Sequence, residues 1–224
     1  MIDPHLYGLL ADLYAYPDDS YADRWLGAVA VLRPVSGAAA ETLQKFIDET
    51  REHSLDELEE LYTRTFDLDP SATPDIGWHL WGEAYERGRF LARMRERLAE
   101  VGIDEGGELP DHMTSILRFI PHLHEKQRDW WVNQYPLMAL EPMLGALEKS
   151  GSPFRHLVVA TCEVLRCAHP CDASMDLARL RPVHGELNAD HFDETGTPVG
   201  HALVDPSNPS SLLVAPRPSP EVIR

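Results

Sequence analysis

Gly102-Ile103-Asp104-Glu105-Gly106-Gly107-Glu108-Leu109-Pro110-Asp111-His112 is a Gly-rich turn followed by a cluster of acid and imidazole, and it runs directly into the apolar series Met113, Ile116, Leu117 and Ile120. The glycines end one helix. Pro110 suits the first turn of the next, because a residue without an N–H loses nothing where that N–H has no partner. Asp111 would then stand near the positive end of the helix dipole. A helix start is therefore predicted at this run, with Pro121 kinking or ending the helix. Helix initiation explains Pro110 and Asp111 but not Glu108 and His112, so the run is also a candidate site.

The helical period extends outward in both directions. Leu6, Leu9, Leu10 and Leu13 mark one face of a first helix, which Tyr16-Pro17-Asp18-Asp19 breaks. A second helix is predicted from Tyr21 to Leu32, and a third from about Ala38 to Glu52 around Leu43, Phe46 and Ile47. Ser54 with Glu57 forms a capping box that opens a fourth through Leu55, Leu58, Leu61, Tyr62 and Phe66. Residues 67–77 hold two prolines and read as a loop between two halves of a bundle. A fifth helix is expected from about Gly82 to Val101, with Arg and Glu paired along its exposed side. The sixth starts at the opening run, and Tyr135 to Leu147 and Phe154 to Cys167 are the last two. Nothing alternates like a strand. Beyond His169 prolines recur among few large apolar residues, a composition that buries little surface. The expected fold is all-α, a single helical-bundle domain over 1–170 with an extended or disordered Pro-rich C-terminal tail over 171–224.

A formal net charge of −17 on 224 residues argues against a phosphate-binding face, so no nucleic-acid partner is expected. Acids outnumber bases eight to two between Glu41 and Glu60, which is either a solvated face or an attraction for a basic partner. No apolar stretch is long enough to span a bilayer, and Met1-Ile2-Asp3-Pro4-His5 lacks the features of a signal peptide. A cytoplasmic protein without membrane insertion is expected. Cys162, Cys167 and Cys171 make a poor disulfide framework. With His169 they supply metal-ligand types but no paired spacing, and cysteines on an apolar helix commonly pack as small hydrophobes. The histidines are scattered, and no nucleophile elbow, phosphate loop or dinucleotide fingerprint occurs. No catalytic residue, metal or cofactor is predicted. Two alternatives stand beside the binding protein developed below: a metal-dependent helical hydrolase on Glu108, Asp111, His112 and His79, and a generic helical interaction protein. Tyr62 and Phe66 before the loop, and Trp78, Trp81 and Tyr85 after it, are either core or a grip for a peptide. Trp130-Trp131 precedes the seventh helix and is likewise core or an exposed patch.

Four stretches in order resemble a known family: Leu13-Tyr14-Ala15-Tyr16-Pro17-Asp18, Leu61-Tyr62-Thr63-Arg64-Thr65-Phe66-Asp67, His79 to Phe90 with Gly82 and Glu86-Arg87-Gly88, and Glu108-Leu109-Pro110-Asp111-His112. Together they are similar to the cytoplasmic assembly chaperones of molybdenum-containing respiratory reductases, the TorD-like superfamily, and most to its nitrate reductase delta subunit, or NarJ, group. The resemblance covers residues 5–125 and leaves out the tail. It implies an all-α chaperone with no catalysis of its own. Its partner would be the N-terminal segment of a molybdopterin-containing catalytic subunit, held while molybdenum cofactor is inserted and while membrane attachment or export is delayed. Molybdenum cofactor biosynthesis proteins are implied as further partners, and the chaperone itself as a monomer or homodimer. Residue by residue, the resemblance makes Glu108, Leu109, Pro110, Asp111 and His112 the client-peptide signature. Tyr62, Phe66, Asp67 and Arg87 are matched positions on flanking helices, and Trp78 and Trp81 stand where relatives carry other large apolar residues. Asp111 and His112 either grip the client, His112 in a pH-sensitive way, or hold the loop and helix start together.

Overall fold

Ser54 accepts from the Glu57 backbone N–H while the Glu57 carboxylate accepts from Ser54, so the fourth helix starts at the expected capping box. A computed structural model describes residues 3–170. The expected tail over 171–224, with Cys171, lies outside the described residues. The helices are α1 (Pro4–Leu13), α2 (Tyr21–Leu32), α3 (Gly37–Thr50), α4 (Leu55–Tyr62), α5 (Ile76–Trp81), α6 (Tyr85–Glu100), α7 (Met113–Phe119), α8 (Glu125–Gln134), α9 (Pro136–Ser150) and α10 (Arg155–Ala168). No strand occurs among the described residues. None of their helices is long and apolar enough to cross a membrane.

Each helix buries one stripe. The stripes meet in a continuous series, with α7 on α1, α1 on α2, α2 on α3, α3 on α10 and α10 on α9, while α9 also carries α5 and α8. An aromatic cluster ties α2, α3 and α4 to the start of α10. Trp25 lies flat on Phe46 at 3.6 Å between ring centroids, Phe46 touches Phe154, and Phe154 touches Phe66 and Tyr62. Tyr62 and Phe66 are therefore core residues. The Tyr62 hydroxyl donates to the Tyr14 carbonyl at 2.8 Å, which fixes the start of the α1–α2 connection against α4.

Three features depart from the expected boundaries. First, α7 begins at Met113 with His112 as its N-cap, so Pro110 and Asp111 precede the helix instead of forming its first turn. The cause is non-local. Ile76 N–H donates to the Asp111 carbonyl and Met113 N–H to the Pro74 carbonyl, each at 3.0 Å, and this short antiparallel bridge keeps His112 extended. Second, the expected loop gives way at Ile76 to α5, and Gly82 at φ +58° closes it, so α6 starts at Tyr85 rather than at Gly82. Third, Trp130 and Trp131 lie inside α8 and not in a connection; charged residues interrupt its apolar period. Along α6, Arg97 pairs within the helix with Glu100, whereas Arg95 and Arg87 reach off it to Glu105 and to Asp75 and Asp111. Pro121 behaves as expected, since α7 ends at Phe119 and passes into a single 3₁₀ turn over Ile120–His122.

Candidate functional site

The chain leaves α4 through a π-helical turn at Thr63–Asp67, a rare widening of the helix that often accompanies functional sites. Arg64 within it and Leu68 just after it are exposed. Tyr16, just beyond α1, stands edge-on to Tyr62 at 5.2 Å and remains 45% exposed. Between them lies an open groove of about 380 Å³, lined by Tyr16, Asp56, Glu59, Glu60, Thr63, Arg64 and Leu68. Leu68 is 73% exposed and gives the groove an aliphatic face. The lining combines an aromatic and an aliphatic face with three carboxylates against one guanidinium.

The 108–112 run comes near the end of the π-turn, where Glu108 and Asp67 act on each other. Glu108 and Leu109 are exposed, Pro110 is buried, and Asp111 and His112 are almost completely buried. Asp111 Oδ2 accepts from Gly77 N–H at 3.1 Å and from Arg87 Nε–H at 3.3 Å, while the other end of Arg87 donates to Asp75 at 3.1 Å. The carboxylate thus meets the N-terminal turn of a helix as expected, but of α5 rather than of its own. Asp111 Oδ1 has no hydrogen-bond partner among the described residues. A Cβ at Gly77 would lie 2.5 Å from Asp111 Oδ2, so any larger residue there must displace the carboxylate.

Charge is crowded at this seam. Burial, reinforced by Asp111 and opposed by Arg87, pushes the Asp75 carboxyl up to about 6. Burial also raises Asp111 against the lowering influence of Arg87, and it raises Glu108 with help from Asp67. Burial holds the His112 imidazole neutral, down to about 4, with Arg118 adding to the effect. His112 Nδ1 accepts from Thr114 N–H at 3.3 Å and lies 2.9 Å from Thr114 Oγ1, which makes it a cap.

The candidate residues therefore fall into three sets. Glu108, Leu109 and Asp67 are exposed; Trp78, Trp81 and Arg87 are half-buried; Tyr62, Phe66, Pro110, Asp111 and His112 are buried. The Arg87 guanidinium lies over the Trp78 ring at 5.5 Å, and Trp81 packs on Phe90 and Tyr135. Asp56, Glu59, Glu60 and Leu68 were absent from the candidates, and Tyr16 counted only as a motif letter. The acidic bias of residues 41–60 was their only signal, and it does not mark which acids line a groove. Asp75 had no signal at all.

His169 is held by two side chains. Its Nε2 is 2.6 Å from the Tyr7 hydroxyl and its Nδ1 is 2.6 Å from Asp129. Cys162 is buried, which pushes its thiol up to about 11, and Cys167 is exposed. Among the described residues no group of three His, Cys, Asp or Glu side chains is arranged to hold a metal ion.

A family model described as nitrate reductase delta subunit matches residues 32–159, more than half of the chain and all of the seam and groove except Tyr16. Among solved structures, a crystal structure of a protein provisionally assigned as a redox enzyme maturation protein of Archaeoglobus fulgidus is 22% identical. It covers 73% of this chain and 93% of its own, with a TM-score of 0.48. No curated protein matches the chain.

Proposed function

The chain belongs to the nitrate reductase delta subunit family, and from that premise we propose that it is a redox-enzyme maturation chaperone without catalysis of its own, which receives the N-terminal segment of a molybdopterin-containing catalytic subunit in the groove beside Tyr16. The observation that carries this reading is the groove's composition. Tyr16 and Leu68 offer apolar surface to one face of an amphipathic segment, and Asp56, Glu59 and Glu60 offer opposite charge to a basic one. Glu108, Leu109 and Asp67 extend that rim. Asp111, His112 and Arg87 act from behind it, by fixing the 108–112 segment to α5 and α6. Tyr62 backs Tyr16 from the core.

The net charge of −17 adds long-range attraction for a basic client and makes the encounter salt-dependent. Ordering a flexible segment costs conformational entropy, which keeps the complex releasable once the client has matured. In this role the chaperone works in the cytoplasm as a monomer or homodimer, holds the client open for molybdenum cofactor insertion alongside the cofactor biosynthesis proteins, and delays membrane attachment or export. Deleting the gene should leave a nitrate-reductase-like catalytic subunit synthesised but poor in molybdenum, measured by elemental analysis of the purified subunit. Full molybdenum content in the deletion strain would contradict the proposal.

A further inference from the structure

Asp75, Arg87 and Asp111 close a seam that local sequence does not foreshadow. Arg87 holds Asp75 Oδ2 at 3.1 Å and Asp111 Oδ2 at 3.3 Å, and the side chains are 19%, 17% and 0% exposed for Asp75, Arg87 and Asp111 respectively. The same seam carries the two backbone bonds from Ile76 to Asp111 and from Met113 to Pro74. A part-buried and a fully buried carboxylate thus share one guanidinium, and one Asp111 oxygen has no partner among the described residues.

No neighbour supplies the missing positive charge. Among the described residues, the charged groups that act on Asp75 are Asp111 and Glu108 from the 108–112 segment and Arg87 from α6. Asp67, at the end of the π-turn, adds negative charge beside Glu108, and Tyr62 stays neutral because burial raises its phenol. His79, on α5, donates from Nε2 to the Thr73 carbonyl at 2.7 Å, and burial keeps its imidazole neutral.

We propose that the Asp75–Arg87–Asp111 cluster is a proton-operated clasp, in which uptake of one proton tightens the seam between the 108–112 segment and the start of α5 and its loss loosens it. The protonated cluster holds one carboxylate on one guanidinium, a balanced pair in a site that water reaches poorly. The sign follows from linkage. A carboxyl whose value is raised in the closed seam binds its proton more tightly there than in the opened one, so closure strengthens as pH falls through about 6. For its consequence the clasp rests on the proposed function, because the segment it fastens carries Glu108 and Leu109 on the client rim. A basic client residue at Glu108 compensates the same excess charge, so docking tightens the seam as acidification does.

The test needs no client. Hydrogen exchange of the Ile76 and Met113 amides, corrected for intrinsic rates, should show about fourfold greater protection at pH 5.5 than at pH 7.5 in the wild-type protein. Asp75→Asn, which mimics the protonated state, should be protected at both pH values and lose the dependence. Carbon NMR of the Asp75 carboxyl should titrate about two units above an ordinary aspartate. Protection that does not change with pH in the wild type, an unaltered dependence in Asp75→Asn, or an Asp75 carboxyl titrating near 4 would each overturn the clasp. A clasp that fails while client binding persists separates this inference from the functional proposal.

Discussion

Replacing Gly77 by alanine sets two effects of opposite sign against each other. Gly77 sits in the first turn of α5, where alanine in place of glycine ordinarily stabilises a helix by up to ~1 kcal/mol. Here the new methyl would stand 2.5 Å from Asp111 Oδ2 and 3.3 Å from Arg87 Cγ. Neither neighbour is the free end of a flexible chain. The Asp111 carboxylate is fully buried and is held by the Gly77 N–H itself as well as by Arg87. Moving it weakens two charge-assisted bonds and strands a buried charge, at a cost of about 3 kcal/mol. The net expectation is a loss of about 2 kcal/mol, or roughly 5 °C in Tm for a domain of this size. Urea unfolding followed by circular dichroism measures it, with Gly8→Ala in α1 as the control, because nothing lies within 4 Å of a Cβ there. Gly8→Ala should be neutral or stabilising. A Gly77→Ala protein as stable as the Gly8→Ala protein would refute the close approach of Asp111 to α5.

Other expectations follow from single contacts. Ser54→Ala removes the side-chain half of the capping box, leaving the Glu57 carboxylate on the backbone N–H, and should lower stability by about 1 kcal/mol in the same assay. The His112 imidazole titrates near 4 in the fold and near 6.5 when unfolded, so its stabilisation is complete above pH 6.5 and is lost as pH falls toward 4. His112→Asn keeps a capping side chain and should therefore flatten the acid limb of the stability profile; His169, also lowered by burial, retains part of it. Parallel profiles would contradict this assignment. Tyr62→Phe leaves the buried Tyr14 carbonyl without its donor, so about 1 kcal/mol of stability should go, as urea unfolding measures; a variant as stable as the wild type would contradict that bond.

Local chemistry made most of the helices legible. The bounds of α2 match the expected Tyr21 and Leu32, because Asp18 to Ser20 and Arg33-Pro34 punctuate it on both sides. The start of α7 could not be found in this way. Pro110 and Asp111 carry every local sign of a first turn, yet the strand-like bridge to Pro74 and Ile76, about 36 residues away, outcompetes that preference. For the same reason the site was only half visible. Asp111 and His112 stood out as rare residues at a boundary, but their burial depends on where Gly77 and Arg87 come to rest. Tyr16 and Leu68 are 52 residues apart and share a groove only because Tyr62, between them in space, joins α4 to the end of α1. The exposed acids of α4 looked like a solvated helix face, and their periodicity alone gives no reason to think otherwise.

Isothermal titration with synthetic N-terminal peptides of nitrate-reductase-like catalytic subunits tests the central claim most directly, with Tyr16→Ala and Leu68→Ala run beside the wild-type protein. Both substitutions remove exposed side chains, so the fold should survive them. At least one peptide should bind the wild type with an affinity that falls as salt rises, and both variants should weaken it by about tenfold or more, as loss of an apolar anchor does. Equal affinity for the wild-type protein and both variants, or no binding by any peptide, would contradict a client groove at this site.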